Sequence, residues 1–502
     1  MTFDPYVLVK YHLYLLQLEN YELGRFWKLL FKRGWFPVKT QRKDLVWTSK
    51  AKLIFALAEI LILLVGTAYF RHGLYMPFTF VWQRWLGFLG VVYILDFFTP
   101  VFLSLAVIVL SPFDYIAKRV IVIRAKSKIK KLSGLKIIAV AGSYGKTTMK
   151  EVLGQVLGIR YNVSGTPESV NTPVGIARWI LNKVDSSTEV LVVEMGEHYS
   201  GDVEDICNIT KPEVVVITGI NEAHLERMKN LDTVTATIFE AVSHSKPKAL
   251  VVLNGDDANV VAHYKEYVWP DHQVEQYKVG DLKAKAFNTE KLCWEAEFKG
   301  IGKVDVWLLG EYILADVQAA IKIAKNLGMD DEDIKKGISK ILPIEHRLQP
   351  LKSGSDILVI DDSYNGNPDG VREAIKVLGK FTNRRKVYIT PGLVEMGKAS
   401  EVIHRNIGKQ LASVADVVIL IKNSVTPWIE EGVLSSRRHS EGVQKAEEFQ
   451  QQEILRSAQD DAGRRPEIVW FDTAQEAHVN LGKILKPGDV IVFQNDWGDS
   501  YL

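Results

Sequence analysis

Two apolar runs near the N-terminus constrain the fold more than any other feature, because polar residues do not break them at either helical or strand period. Leu53 to Phe70 (LIFALAEILILLVGTAYF) is interrupted only by Glu59. At about 1.5 Å per residue it can cross most of a bilayer core of about 30 Å. The second run, Trp85 to Leu110, is longer than one crossing needs and carries Asp96 and Pro100 near its middle, which predicts a tilt or kink. Trp82 and Trp85 suit an interface belt. Arg25, Lys28, Lys32, Arg33, Lys39, Arg42, Lys43, Lys50 and Lys52 precede the pair, and Lys118, Arg119, Arg124, Lys126, Lys128, Lys130 and Lys131 follow it. The connection holds only Arg71 and Arg84. Positive flanks stay inside, so this pattern predicts a transmembrane helical hairpin over about 53–70 and 85–110. Residues 1–132 are then a membrane anchor, the lipid bilayer a partner, and the protein a multi-pass component of the cytoplasmic (inner) membrane with its remaining domains in the cytoplasm. Two buried helices of a soluble core are the competing reading.

From Leu135 onward the texture changes to apolar runs of a few residues alternating with helical stretches, the pattern of parallel sheets covered by helices. At 502 residues there is room for more than one core, since single cores stop growing at roughly 250–300 residues. Strands are expected near Leu135–Ala141, Val190–Val193, Val214–Gly219 and Ala249–Leu253, then near Ile357–Ile360, Val387–Thr390, Val417–Ile421, Ile468–Phe471 and Val490–Phe493, with a hinge over Ile341–Pro350. The fold class is therefore α/β: a P-loop-type parallel-sheet ATPase domain over 133–345 and a Rossmann-like domain over 346–502, the latter with a polar insertion at about 435–467. A net charge of +2 gives no sign of a nucleic-acid partner. Cys207 and Cys293 stand far apart in sequence, which removes a zinc ribbon, a disulfide framework and a redox pair.

The strongest local signal is GSYGKTT, Gly142 to Thr148, between the strand LKIIAVA and the helical stretch MKEVLGQVL. In that setting backbone N–H groups surround phosphates, a lysine bridges the outer phosphates and a hydroxyl holds Mg²⁺. Lys146 and Thr147 fit those roles, with ATP or GTP as the ligand. Glu194 closes the strand VLVV and His224 follows VVVITGI, at strand ends where open α/β sheets place their sites; a carboxylate and an imidazole there can hold Mg²⁺.

GSYGKTT, SVNTPVG (Ser169 to Gly175), VVEMGEHYSGDVEDI (Val192 to Ile206), TGINEAHLERM (Thr218 to Met228), LNGDD (Leu253 to Asp257), EHRLQ (Glu345 to Gln349) and DDSYNGNP (Asp361 to Pro368) follow one another in the order seen in Mur ligases. With PGLVEMG (Pro391 to Gly397), the chain over roughly 135–502 most resembles the branch that adds D-alanyl-D-alanine to the muramoyl tripeptide. The resemblance implies an ATP-dependent, ADP-forming ligase: ATP phosphorylates a carboxylate of a peptidoglycan precursor, and an amine attacks the acyl phosphate. It further implies that Gly142, Ser143, Tyr144, Gly145, Lys146, Thr147, Thr148, Asp316, Arg347 and Asp361 contact the nucleotide. Thr147, Glu194 and His224 would hold metal, Asn171 would lie near the reacting groups, and Tyr364, Asn365 and Asn367 would receive the amino substrate. For the Asn residues a capping or turn role is the rival reading.

Three departures stand out. Ile238 occupies the position of a lysine that the family carbamylates beside the second metal. Tyr312 and Asp316 occupy the His and Asn positions of the stretch that contacts adenine. The domain that grips the UDP-sugar has no counterpart, which suggests a lipid-linked acceptor. Two other functions remain open: a folylpolyglutamate-like or poly-amino-acid ligase, and a membrane-tethered nucleotide-binding scaffold without ligase activity. The oligomeric state is not specified by the sequence.

Overall fold

The computed structural model describes residues 7–37, 45–72, 81–167, 170–197, 199–221, 228, 230–352, 356–364, 366–394, 396–435 and 465–494. His224, Asn365 and residues 436–464 of the expected insertion lie outside this set. The chain divides into two compact units, one ending at Val120 and one beginning at Ile121.

In the first unit, α1 (Val7–Leu18) and α2 (Leu23–Arg33) pack with α3 (Ser49–His72), α4 (Val81–Phe97) and the start of α5 (Thr99–Lys131). Ile54, Ala58 and Ile62, each four residues on, put one stripe of α3 against Leu13, Leu16, Phe26, Leu30, Leu103 and Ala106. The other faces stay apolar and uncovered, with Leu53, Ile60, Leu64, Leu86, Ile94 and Ile108 exposed. The second run expected over 85–110 is not one helix: it breaks at Phe98, and Pro100 lies in the first turn of α5, where a missing N–H costs nothing. Two helical stretches, Ser49–Ala68 and Thr99–Lys131, are long and apolar enough to cross a membrane by length and composition.

Among its described residues the second unit holds two six-stranded sheets and a smaller three-stranded one. The strands β1 (Lys136–Ala141), β2 (Val163–Gly165), β3 (Val190–Glu194), β4 (Val214–Ile217), β5 (Leu250–Asn254) and β6 (Gln273–Tyr277) form one sheet in the order β2-β3-β1-β4-β5-β6, every pairing parallel. Alternate residues of β1 feed opposite cores. Ile138 and Val140 join Met149, Val152 and Val156 of α6 (Lys146–Leu157), whereas Ile137 and Ala139 join Ile176 of α7 (Pro173–Lys183), Ile206 of α8 (Asp202–Thr210) and Phe239 of α9 (Leu231–Ser243). Burial on both faces is why these strands are continuously apolar, each fully buried Val or Ile contributing about 1.5–3 kcal/mol. The short helix α10 (Ala258–His263) follows β5, and β7 (Ala284–Asn288), β8 (Cys293–Phe298) and β9 (Gly302–Val306) form an antiparallel sheet before α11 (Ile313–Asn326) and α12 (Asp331–Ser339).

The C-terminal sheet runs β10-β11-β15-β12-β13-β14, where β10 is Gln349–Lys352, β11 Leu358–Asp362, β12 Lys386–Thr390, β13 Val417–Ile421, β14 Glu467–Phe471 and β15 Val490–Gln494. Only β10 is antiparallel to its neighbour. The helices α13 (Pro368–Gly379), α14 (Ser400–Val414), α15 (Thr426–Ser435) and α16 (Ala474–Ile484) complete it.

Candidate active site

The loop after β1 is shaped by two glycines. Gly142 has φ +148°, and a Cβ there would lie 2.2 Å from Thr218 Oγ1 and 2.9 Å from the Gly219 backbone, so only glycine lets the loop pass the end of β4. The Ser143 N–H donates to Gly219 O at 2.7 Å and locks that approach. Gly145, left-handed at φ +76°, turns the chain into α6. The N-terminus of α6 then presents its free N–H groups at the C-terminal end of the sheet, an arrangement suited to anions. On the far side of the loop the Tyr144 hydroxyl donates to Asp257 Oδ2 at 2.7 Å, and burial together with that carboxylate pushes its pKa up.

Lys146, Thr147 and Glu194 come together as the spacing predicts. The Thr147 hydroxyl lies 3.2 and 3.1 Å from the two Glu194 carboxylate oxygens, and the Glu194 N–H is fixed by Thr166 Oγ1 at 3.0 Å. A buried hydroxyl and carboxylate in contact are hard oxygen donors, and their chemistry fits Mg²⁺. Two further charges stand beside them that sequence reasoning missed. Lys150, one turn along α6 and 3% exposed, donates to Thr166 O at 2.8 Å and lies 3.5 Å from Glu194 Oε2. Glu197 forms an ion pair with Lys146 at 2.8 Å. Lys150 falls on the i+4 position of Lys146, which is the only signal in the sequence that could have found it.

Asn171 is adjacent to this group: the Gly196 N–H donates to Asn171 O at 2.9 Å, and a Cβ on Gly196 would lie 2.8 Å from Asn171 Cγ. Ile238 is fully buried in the core beneath α9, so the position of the expected lysine supplies packing and no ligand. Thr148 and Tyr312 are neighbours under α6, and burial raises the Tyr312 phenol. Asp316 is buried, its Oδ2 without a hydrogen-bond partner among the described residues, and burial holds its carboxyl far above the usual carboxylate range. Burial favours the protonated form of the carboxyl, and in that form it presents one O–H and one C=O, much as the amide of asparagine presents a donor and an acceptor.

At the hinge, His346 and Leu348 adopt left-handed φ of +57° and +44°. His346 Nδ1 lies 2.7 Å from Asp361 Oδ2, an ion pair when the imidazole is protonated. Arg347 donates from Nη1 to Tyr364 O at 2.9 Å and stacks over the Tyr364 ring at 4.7 Å. Burial pushes Asp362 up to about 6 against the opposing pull of the Arg347 guanidinium. Asn367 accepts from the Asp369 and Gly370 N–H groups at 3.1 and 3.0 Å, so its side chain caps α13. The central and C-terminal domains touch near this point: Asn221 Nδ2 donates to Asp369 Oδ2 at 2.8 Å, and the Glu311 N–H donates to Glu373 Oε1 at 2.6 Å.

Comparison with known proteins finds matches to both domains of the second unit. The Mur ligase middle domain family matches residues 140–324, and the Mur ligase, glutamate ligase domain family matches 346–494. Similar curated proteins are UDP-N-acetylmuramoyl-tripeptide--D-alanyl-D-alanine ligases. That of Bacillus subtilis is 25% identical over 69% of this chain and 74% of its own length, and that of Mycobacterium tuberculosis H37Rv is 28% identical over 57% and 58%. Among solved structures, MurF from Acinetobacter baumannii superposes with a TM-score of 0.63 at 23% identity, covering 76% of this chain and 77% of its own. MurF ligase from Thermotoga maritima, solved in complex with ADP, gives 0.61 at 24% identity over 76% and 80%. At these identities the superpositions establish the fold.

The same findings correct the expected multi-pass inner-membrane localisation. The relatives are ligases named for a UDP-linked precursor, and the two apolar helical stretches pass by length and composition alone, a test that a core helix of a soluble protein also passes.

Proposed function

Since the chain belongs to the Mur ligase family, we propose that it is an ATP-dependent, ADP-forming amide ligase that joins D-alanyl-D-alanine, or a similar amine, to the peptide of a peptidoglycan precursor. The observation that carries this reading is the contact of Thr147 with Glu194 beside Lys146 at the head of α6, within a chain matched across both ligase domains.

In this reading Lys146 and the N–H groups at the start of α6 bind the triphosphate, and Arg347 and Asp361 meet the nucleotide from the C-terminal domain. Thr147 and Glu194 would hold one Mg²⁺, and Glu194 with His224 a second; such ions would neutralise charge on the phosphates during transfer. Asn171 orients the acceptor carboxylate, and Tyr364, Asn365 and Asn367 line the approach of the amine. Asp316 would meet the base from the position where the family has an asparagine. Positioning and fixed charge supply most of the rate, since the acyl phosphate needs only to be formed close to the amine and away from water.

The division into 1–132, 133–345 and 346–502 belongs to the same reading, with the N-terminal helices standing in place of a UDP-sugar-gripping domain. The exposed apolar faces of α3, α4 and α5 support contact with lipid, without the multi-pass topology corrected above. Sedimentation of the purified protein with vesicles tests that contact, and recovery in the supernatant at low and high salt alike would exclude it. The ligase reading is tested by mass spectrometry of reactions containing ATP, Mg²⁺, D-alanyl-D-alanine and a muramoyl-tripeptide acceptor in UDP-linked or lipid-linked form. A product heavier than the acceptor by the dipeptide less one water is expected. Its absence with both acceptors, alongside product from folate and glutamate, would move the assignment to the folylpolyglutamate-like branch.

A further inference from the structure

The lysine of the phosphate loop is already engaged. Its Nζ lies 2.8 Å from Glu197 Oε1 and also donates to Gly142 O, with the Lys146 and Glu197 side chains 11% and 1% exposed. Glu197 is held in place by its backbone: Gly196, the residue before it, makes its close approach to Asn171 only because it lacks a Cβ. Consecutive residues of α6 therefore each engage one carboxylate at or just beyond the end of β3, Lys146 with Glu197 and Thr147 with Glu194. A charge this deeply buried is tolerable while it is paired and strongly unfavourable once its partner leaves.

We propose that Glu197 is a positioning residue that parks Lys146 while the nucleotide site is empty and makes ATP binding depend on the divalent cation. The proposal rests on reading this loop as the ATP site. A triphosphate that draws Lys146 away leaves the Glu197 carboxylate buried beside a polyanion. Glu197 can give up its lysine at low cost only if a cation arrives with the phosphates; ATP without metal must both break the ion pair and face the freed carboxylate. Glu197 thus acts through Lys146 and the local charge balance, without touching the transferred phosphoryl group.

The test is titration of the full chain with a fluorescent ATP analogue in excess Mg²⁺ and in EDTA, comparing the parent protein with Glu197→Gln. In the variant, metal-free binding is expected to tighten by about five-fold or more, with the Mg²⁺ stimulation reduced to match. A merely structural Glu197 would weaken both titrations together. Equal Mg²⁺ stimulation in parent and variant would overturn the inference while leaving the ATP site intact; a parent that binds no nucleotide in either condition would overturn the site reading itself. Should Glu197→Gln fail to fold, Mn²⁺ binding to the nucleotide-free Lys146→Ala protein, read by electron paramagnetic resonance, decides. Freed from the lysine, the carboxylate is expected to tighten Mn²⁺ binding by about three-fold or more over the parent, and unchanged affinity would contradict the proposal.

Discussion

A single methyl group at position 142 would disrupt the loop at the head of α6, because it would lie 2.2 Å from the Thr218 hydroxyl oxygen, far inside van der Waals contact. Gly142→Ala is expected to cost about 2 kcal/mol or more of stability, read as a lower urea midpoint, and to abolish nucleotide binding. Asp362 offers a pH-dependent test. Its carboxyl is raised from 3.8 to about 6, so between those values the unfolded chain ionises while the folded chain stays protonated, and stability falls as pH rises through that window. Asp362→Asn removes the penalty, and the variant should gain about 1–3 kcal/mol relative to the parent between pH 4 and 7. A constant difference across that range would contradict the assignment. The grouping of Lys146, Thr147 and Glu194 was legible in the sequence because a strand end, a glycine turn and a helix start place them. Lys150 and Glu197 were not, since their partners, Thr166 O and Lys146 Nζ, are brought near only when β2 and β3 pair with the rest of the sheet.

At the scale of elements, strands buried on both faces were legible to within a residue or two, as with β12, β13 and β15, because each is an unbroken apolar run. The elements that escaped are edges. β2 is three residues long, β6 (QVEQY) is largely exposed, and β10 pairs antiparallel with β11 across the end of the expected hinge, so none carries an apolar signal. The second apolar run was read as one kinked span because composition does not record where a helix stops; Pro100 at the first turn of α5 and the break at Phe98 make it two helices. Asn367 was expected to receive the amino substrate, with a capping role as the rival reading, and its side chain is seen capping α13. Asn367→Ala should lower stability by about 1 kcal/mol, and Asn367→Asp, which can still cap, should restore most of it. Loss of turnover in both variants, with stability recovered only in the second, would establish the amide as a substrate contact as well.

For the whole molecule, the account requires the central and C-terminal domains to work on one nucleotide. Contacts between them already exist at Asn221–Asp369 and Glu311–Glu373, and Lys380 lies over the Trp294 ring at 4.6 Å. Arg347, at the hinge, should matter beyond its local bonds: Arg347→Ala is expected to lower kcat/KM by about ten-fold or more while shifting the unfolding midpoint little. A change in stability alone would make it a hinge strut. Family membership was legible because seven motifs occur in order, whereas the location of the chain was not, because an apolar helix that spans a bilayer and one that packs in a core share their composition. The most direct test of the central claim is phosphate release from ATP and Mg²⁺ by the purified full chain, with muramoyl-tripeptide acceptor and D-alanyl-D-alanine supplied together or singly. Release that needs both substrates and disappears in Lys146→Ala is the expected result. ATP binding without release under any substrate combination would contradict the ligase assignment and leave a nucleotide-binding scaffold.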